Sequence, residues 1–195
     1  EACSSLQNKI NKILPENTEK PIIKTFHAFS ADLLREHGSE INLNTKFKIL
    51  TPDEAKVILH KNFKILASNC HRYIGSIGIA KDLEISIKDM ENFLQKKLEK
   101  YGNIDLQKRL ESLKFEIQTI HLNKHKSKNT LPEEIDELKK VINLKKFISA
   151  WKAYEKIKEK NSFQDYSDLN NKALELLQKN PSIALNYSYI IVDEF

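Results

Sequence analysis

Two short segments carry the residues best suited to chemistry. Tyr189-Ile190-Ile191-Val192 is an apolar run, and Asp193-Glu194 follows it directly. A buried strand of this kind sets an aspartate at its carboxyl end, where a carboxylate holds the magnesium of a bound nucleotide. The adjacent Glu194 is then placed to polarise an attacking water. The plainer alternative is a strand that ends in acids at the surface. The second segment is Thr25-Phe26-His27-Ala28-Phe29, at an expected strand-to-helix junction. A hydroxyl, an imidazole and a helix N-terminus together make a phosphate contact. The alternative there is that His27 caps the helix while Phe26 and Phe29 fill the core.

Two further groupings invite a chemical reading and support it less well. Asp165 and Asp168 begin an expected helix, where acids favour the helix dipole, so their role is structural before catalytic. His121 and His125 stand four apart, a spacing that suits a metal on one helix face. Lys124, Lys126 and Lys128 surround them and would repel a cation, so the stretch reads better as a basic loop that meets phosphate.

The elements that must position these residues follow from periodicity. The chain has 195 residues, 40% hydrophobic and 30% charged, with only 4 Gly and 5 Pro. So few turn residues favour long helices over a sandwich or barrel. Helices are expected over 4–14, 27–37 with Gly38 as cap, 52–67, 86–101 with Gly102 as stop, and 165–179. Two more carry Leu106, Leu110, Leu113, Ile117 and Ile120 on one stripe, and Leu138, Val141, Leu144, Ile148 and Trp151 on another. Thr51-Pro52-Asp53-Glu54 and Thr130-Leu131-Pro132-Glu133 read as helix starts with capping boxes. Residues 68–85 read as less regular because Gly75 and Gly78 loosen them. Short buried strands are expected at 21–26 and 189–193, and both need strands from outside this chain. The organisation is strand, long helical middle, strand.

Composition narrows the partners. Lysine and arginine number 32 against 27 aspartates and glutamates, a net charge of +5 that favours nucleic acid over membrane as an anionic partner. No apolar run approaches the ~18 residues of a membrane span. Cys3 and Cys70 lie far apart and suit free thiols in a reducing cytoplasm. The start on Glu1 and the stop inside an apolar strand suggest a piece of a larger protein.

The order and spacing of these segments resemble UvrD/Rep/PcrA-type superfamily 1 DNA helicases. Thr25-Phe26-His27-Ala28-Phe29, followed by Leu33-Leu34-Arg35, is similar to that family's "TFHSF…LR". Phe47-Lys48-Ile49-Leu50 with Asp53-Glu54 resembles "F.IL..ED". Trp151-Lys152-Ala153-Tyr154-Glu155 before Asp165-Tyr166-Ser167-Asp168-Leu169 resembles "Y..YE…DF.DLL", with Tyr166 in place of the phenylalanine. Tyr189 to Phe195 resembles the start of "ILVDEFQDT", the family's motif II.

The resemblance implies a mainly α chain: a helical 1B-type insertion flanked by pieces of an α/β RecA-like (P-loop NTPase) domain. Residues 1–50 would belong to domain 1A, 51–160 to the 1B subdomain, and 161–195 to domain 1A again. It also implies ATP and magnesium in the intact protein, with Asp193 on the metal and Glu194 on the hydrolytic water. Thr25, Phe26 and His27 would line a single-stranded DNA track. Lys124, Lys126, Lys128, Lys145 and Lys152 are candidates for contact with duplex DNA, or simply a solvated basic face. The intact protein would be a 3′-5′ helicase of DNA repair or replication. This stretch alone would be inactive, since the GxxGxGK[ST] phosphate loop does not occur in it. A RecB/AddA-type nuclease-helicase and a non-enzymatic helical docking module remain as alternatives.

Overall fold

A computed structural model describes residues 2–15, 17–63, 65–102, 104–122 and 130–193, apart from the side chains of residues 2, 117–122 and 130–131. The chain divides into two compact units, Glu1–Thr51 with Lys160–Phe195, and Pro52–Glu159.

The first unit is built on two helices, α2 (Phe26–His37) and α8 (Tyr166–Lys179), with α1 (Ala2–Ile13) preceding them. Their apolar stripes form its core: Ala31, Leu33 and Leu34 of α2 meet Leu169, Ala173 and Leu176 of α8, with Phe47 and Ile183 closing the cluster. The two helices run parallel. Ser30 Oγ donates to Asn170 Oδ1 at 3.1 Å, and farther along Asn180 Nδ2 donates to Glu40 Oε2 at 2.7 Å, both pairs 140 residues apart. Beside them lies one short parallel pair, β1 (Lys48–Ile49) against β2 (Phe163–Gln164), with Lys48 opposite Phe163.

Each helix of this unit starts at a side-chain cap. Thr25 Oγ1 accepts the Ala28 N–H at 3.3 Å. Asp165 accepts the Asp168 N–H at 3.0 Å and Asp168 accepts the Asp165 N–H at 2.9 Å, a reciprocal capping box. The acids at 165 and 168 therefore do the structural work expected of them. After α2 the chain tightens into a 3-10 turn, Gly38–Ile41. Gly38 is right-handed, and the left-handed residue that ends the turn is Asn42 at φ 59°, where a short polar side chain tolerates that conformation.

The second unit is helical throughout: α3 (Pro52–Phe63), α4 (Ala67–Asp82), α5 (Ile87–Glu99), α6 (Leu106–Leu122) and the greater part of α7 (Thr130–Lys160). Ser86 caps α5 in a second capping box with Asp89. Gly102, at φ 58°, follows it as the stop. The core joins Leu94 of α5, Leu110 and Leu113 of α6, and Ile135, Leu138 and Val141 of α7. Arg109 ties α6 to α7 by donating to Glu134 at 3.0 and 3.2 Å.

Three expectations are corrected. Residues 68–85 are mostly the regular helix α4. Gly costs about 1 kcal/mol against Ala in a helix, and burial of Cys70, Ile77 and Ala80 on one side outweighs it. The expected strand at 21–26 has no ladder: its chain is irregular up to Thr25, and Ile22 is exposed. The expected strand at 189–193 likewise pairs with nothing among the described residues. Tyr189, Ile190 and Ile191 are 92%, 73% and 94% exposed. A strand needs a neighbour to take its N–H and C=O groups, and neither segment has one here.

Candidate nucleic-acid and nucleotide site

The N-terminal turn of α2 holds Thr25, Phe26 and His27 at the surface. Thr25 is the cap and Phe26 the first helical residue, so their positions are set by the helix start. The helix is steadied from behind by Asp32, which accepts hydrogen bonds from Lys24 and, at 3.5 Å, from Arg35. The hydrogen bond from Lys24 is the main reason that the Asp32 carboxyl sits below its usual range.

Neither Phe26 nor His27 is a core residue. Phe26 is 61% exposed, and the His27 ring lies against the ring of Tyr166, with centroids 4.9 Å apart and planes tilted by 46°. The core role falls to Phe29, which packs against the α2–α8 cluster and meets Tyr187 edge-on at 5.3 Å. The residue missed in sequence is thus Tyr166. Its signal was its place directly after an N-cap aspartate, a position equivalent to that of Phe26 after Thr25.

Asp193 ends the extended, exposed run that begins at Tyr189. A lone carboxylate of this sort is a hard oxygen donor that suits magnesium, which commonly takes one or two carboxylates plus phosphate and water. Glu194 lies outside the described residues, as do Lys124, Lys126, Lys128 and His125, and the side chain of His121 is not described. The metal pair and the basic loop are therefore not placed.

The remaining basic candidates belong to the second unit. Lys152 is paired with Glu91. Lys145 is exposed and, with Lys146, borders an open cleft of about 1330 Å³ whose walls include Phe63, Tyr73, Gln95 and Ile142. Glu99 and Asp105 line the same cleft, so its charge is mixed.

A denser charge cluster is buried nearby in sequence. Glu155 receives Lys81 at 2.7 Å, Lys158 at 2.9 Å and the Trp151 Nε1–H at 3.1 Å. Burial raises the Glu155 pKa, and the two ammonium groups outweigh that effect and hold it below the ordinary value. Both lysines also face the Tyr154 ring, at 5.9 and 5.0 Å from its centroid.

The sequence matches a family model described as the UvrD/REP helicase N-terminal domain over residues 1–195. It is also 24% identical over 204 residues to a probable DNA helicase II homolog of Mycoplasma capricolum subsp. capricolum. That match covers 100% of this chain and 22% of the relative, so the chain spans about a fifth of the relative's length. Among the described residues no helix is long and apolar enough to cross a membrane.

Proposed function

From the membership of this chain in the UvrD/REP helicase family, which the match over its whole length establishes, we propose that the intact protein is an ATP-dependent DNA helicase. It moves 3′ to 5′ along single-stranded DNA in the cytoplasm and serves DNA repair or replication. Residues 1–50 and 161–195 are parts of its RecA-like domain 1A, and residues 51–160 are its 1B insertion. The division of the chain at Thr51 and Lys160 supports that assignment.

The observation that carries the DNA-binding half of this reading is the start of α2, where Thr25, Phe26 and His27 are all exposed at a capped helix end. A hydroxyl and a backbone amide end suit phosphate, and an exposed ring suits a base. Asp193 holds magnesium at the nucleotide, and the metal's part is to neutralise charge on the phosphates. Glu194 orients the attacking water. Lys124, Lys126, Lys128, Lys145 and Lys152 face duplex DNA, with Lys152 the weakest candidate because Glu91 already holds it. The 195 residues contain no GxxGxGK[ST] loop, so this stretch by itself turns over no ATP.

Strand separation by the intact protein tests the proposal. Duplexes with a 3′ or a 5′ single-stranded tail are offered with ATP and magnesium. Unwinding from the 3′ tail is expected, and Asp193→Asn abolishes it. Unwinding from the 5′ tail alone, or undiminished unwinding by Asp193→Asn, overturns the assignment.

A further inference from the structure

Two helix starts share one end of the first unit. The parallel packing of α2 and α8 sets Phe26, the residue after the cap Thr25, and Tyr166, the residue after the cap Asp165, at the same end. Between them lies the His27 ring, 4.9 Å from that of Tyr166. Phe26 is 61% exposed and Tyr166 is 40% exposed, although large apolar rings are ordinarily the first groups to be buried. Polar groups frame these rings: Thr25, Asp165, Ser167 and, one residue earlier, Lys24. An aliphatic peptide would find no continuous apolar surface there. Flat rings bordered by hydrogen-bonding groups suit a ligand that is itself flat, aromatic and polar-edged.

We propose that Tyr166 is a DNA-contacting residue. Its ring extends the Phe26–His27 surface from α2 onto α8 and stacks against a nucleobase of the bound single strand. This rests on the reading of Thr25, Phe26 and His27 as a DNA-binding turn, and adds to it a residue from a different helix. Stacking is tolerant of sequence because every base has a π face. Contact with Tyr166 therefore tightens binding without selecting a base, as a motor that moves along any sequence requires.

The test is fluorescence anisotropy of the intact protein with labelled oligo(dT) and with an abasic strand of the same length. Tyr166→Phe, Tyr166→Leu and His27→Ala are compared with the unaltered protein. Tyr166→Phe keeps the ring and is expected to bind normally. Tyr166→Leu keeps apolar volume without the ring, and should bind oligo(dT) roughly five- to a hundredfold more weakly while binding the abasic strand unchanged. Equal weakening on both strands makes Tyr166 a structural residue and overturns the proposal. Normal oligo(dT) binding by Tyr166→Leu with weakened binding by His27→Ala also overturns it, and leaves the DNA-binding turn intact. Normal binding by both variants overturns the turn as well.

Discussion

Leu138 gives the most direct check on the helical unit, because its burial and a built-in reporter lie on one helix. Its side chain is 0% exposed in the cluster that joins α5, α6 and α7. Leu138→Ala removes three carbon groups, worth about 0.8 kcal/mol each in transfer free energy, or about 2.4 kcal/mol together. The cavity left behind adds to this, since neighbours on three helices cannot all close in, and brings the expected loss to about 3–5 kcal/mol. Trp151, the single tryptophan, is 2% exposed on the same helix α7, so its emission shifts to the red when the unit unfolds. With a urea slope of roughly 1.5 kcal/mol per M, the midpoint should fall by about 2 M or more. Val57→Ala is the control. Val57 is 49% exposed on α3, and its truncation should cost no more than about 0.5 kcal/mol. If Leu138→Ala and Val57→Ala shift the midpoint equally, the stripe at 138, 141 and 148 does not face the core as described.

Other outcomes follow from the same structure. Glu155 has a folded pKa below its ordinary value of 4.5, so its contribution to stability is present above that value and is lost as pH falls through the lower folded one. Glu155→Gln should therefore lessen the fall in stability between pH 5 and acid, read from Trp151 emission; these limits are approximate, at about one unit. An unchanged acid limb would show that Lys81 and Lys158 do not act on it. Thr25→Ala should cost about 1 kcal/mol of helix stability and Thr25→Ser much less, checked by hydrogen exchange at Ala28 and Phe29; equal protection in both variants would refute the cap. In the intact protein, Asp193→Asn should lower DNA-stimulated ATP turnover on the order of a hundredfold or more, with nucleotide release measured by phosphate detection. Turnover within a factor of two would remove Asp193 from the metal.

The helices of this chain are legible because their signals are local. Thr25, Ser86 and Asp165 announce helix starts through their own side chains, and Gly102 announces a stop through its backbone. What was misread depends on partners far away in sequence. Gly75 and Gly78 read as a break, yet Cys70, Ile77 and Ala80 find enough burial to keep α4 regular. Lys48–Ile49 and Phe163–Gln164 are too short to register as strands, and they exist only because each supplies the other's hydrogen bonds. The apolar segments at 21–26 and 189–192 have the composition of strands without a partner among the described residues. The candidate site divides the same way. Thr25, Phe26 and His27 were visible as a run, whereas the approach of Tyr166 to His27 follows from the parallel packing of two helices about 140 residues apart.

The two-residue ladder has a consequence for how this chain tolerates change. The Lys48 N–H donates to Ser162 O at 3.0 Å and the Leu50 N–H to Gln164 O at 2.8 Å, so the chain leaves and rejoins the first unit at adjacent points. A stretch whose ends are already clasped can grow or shrink cheaply: each doubling of its length costs only about 0.6 kcal/mol in closure entropy. Parallel strands need a connection of only about a dozen residues, far less than the second unit supplies. The clasp makes that unit exchangeable, a place where descendants of this sequence can trade one helical insertion for another while the surrounding core keeps its register.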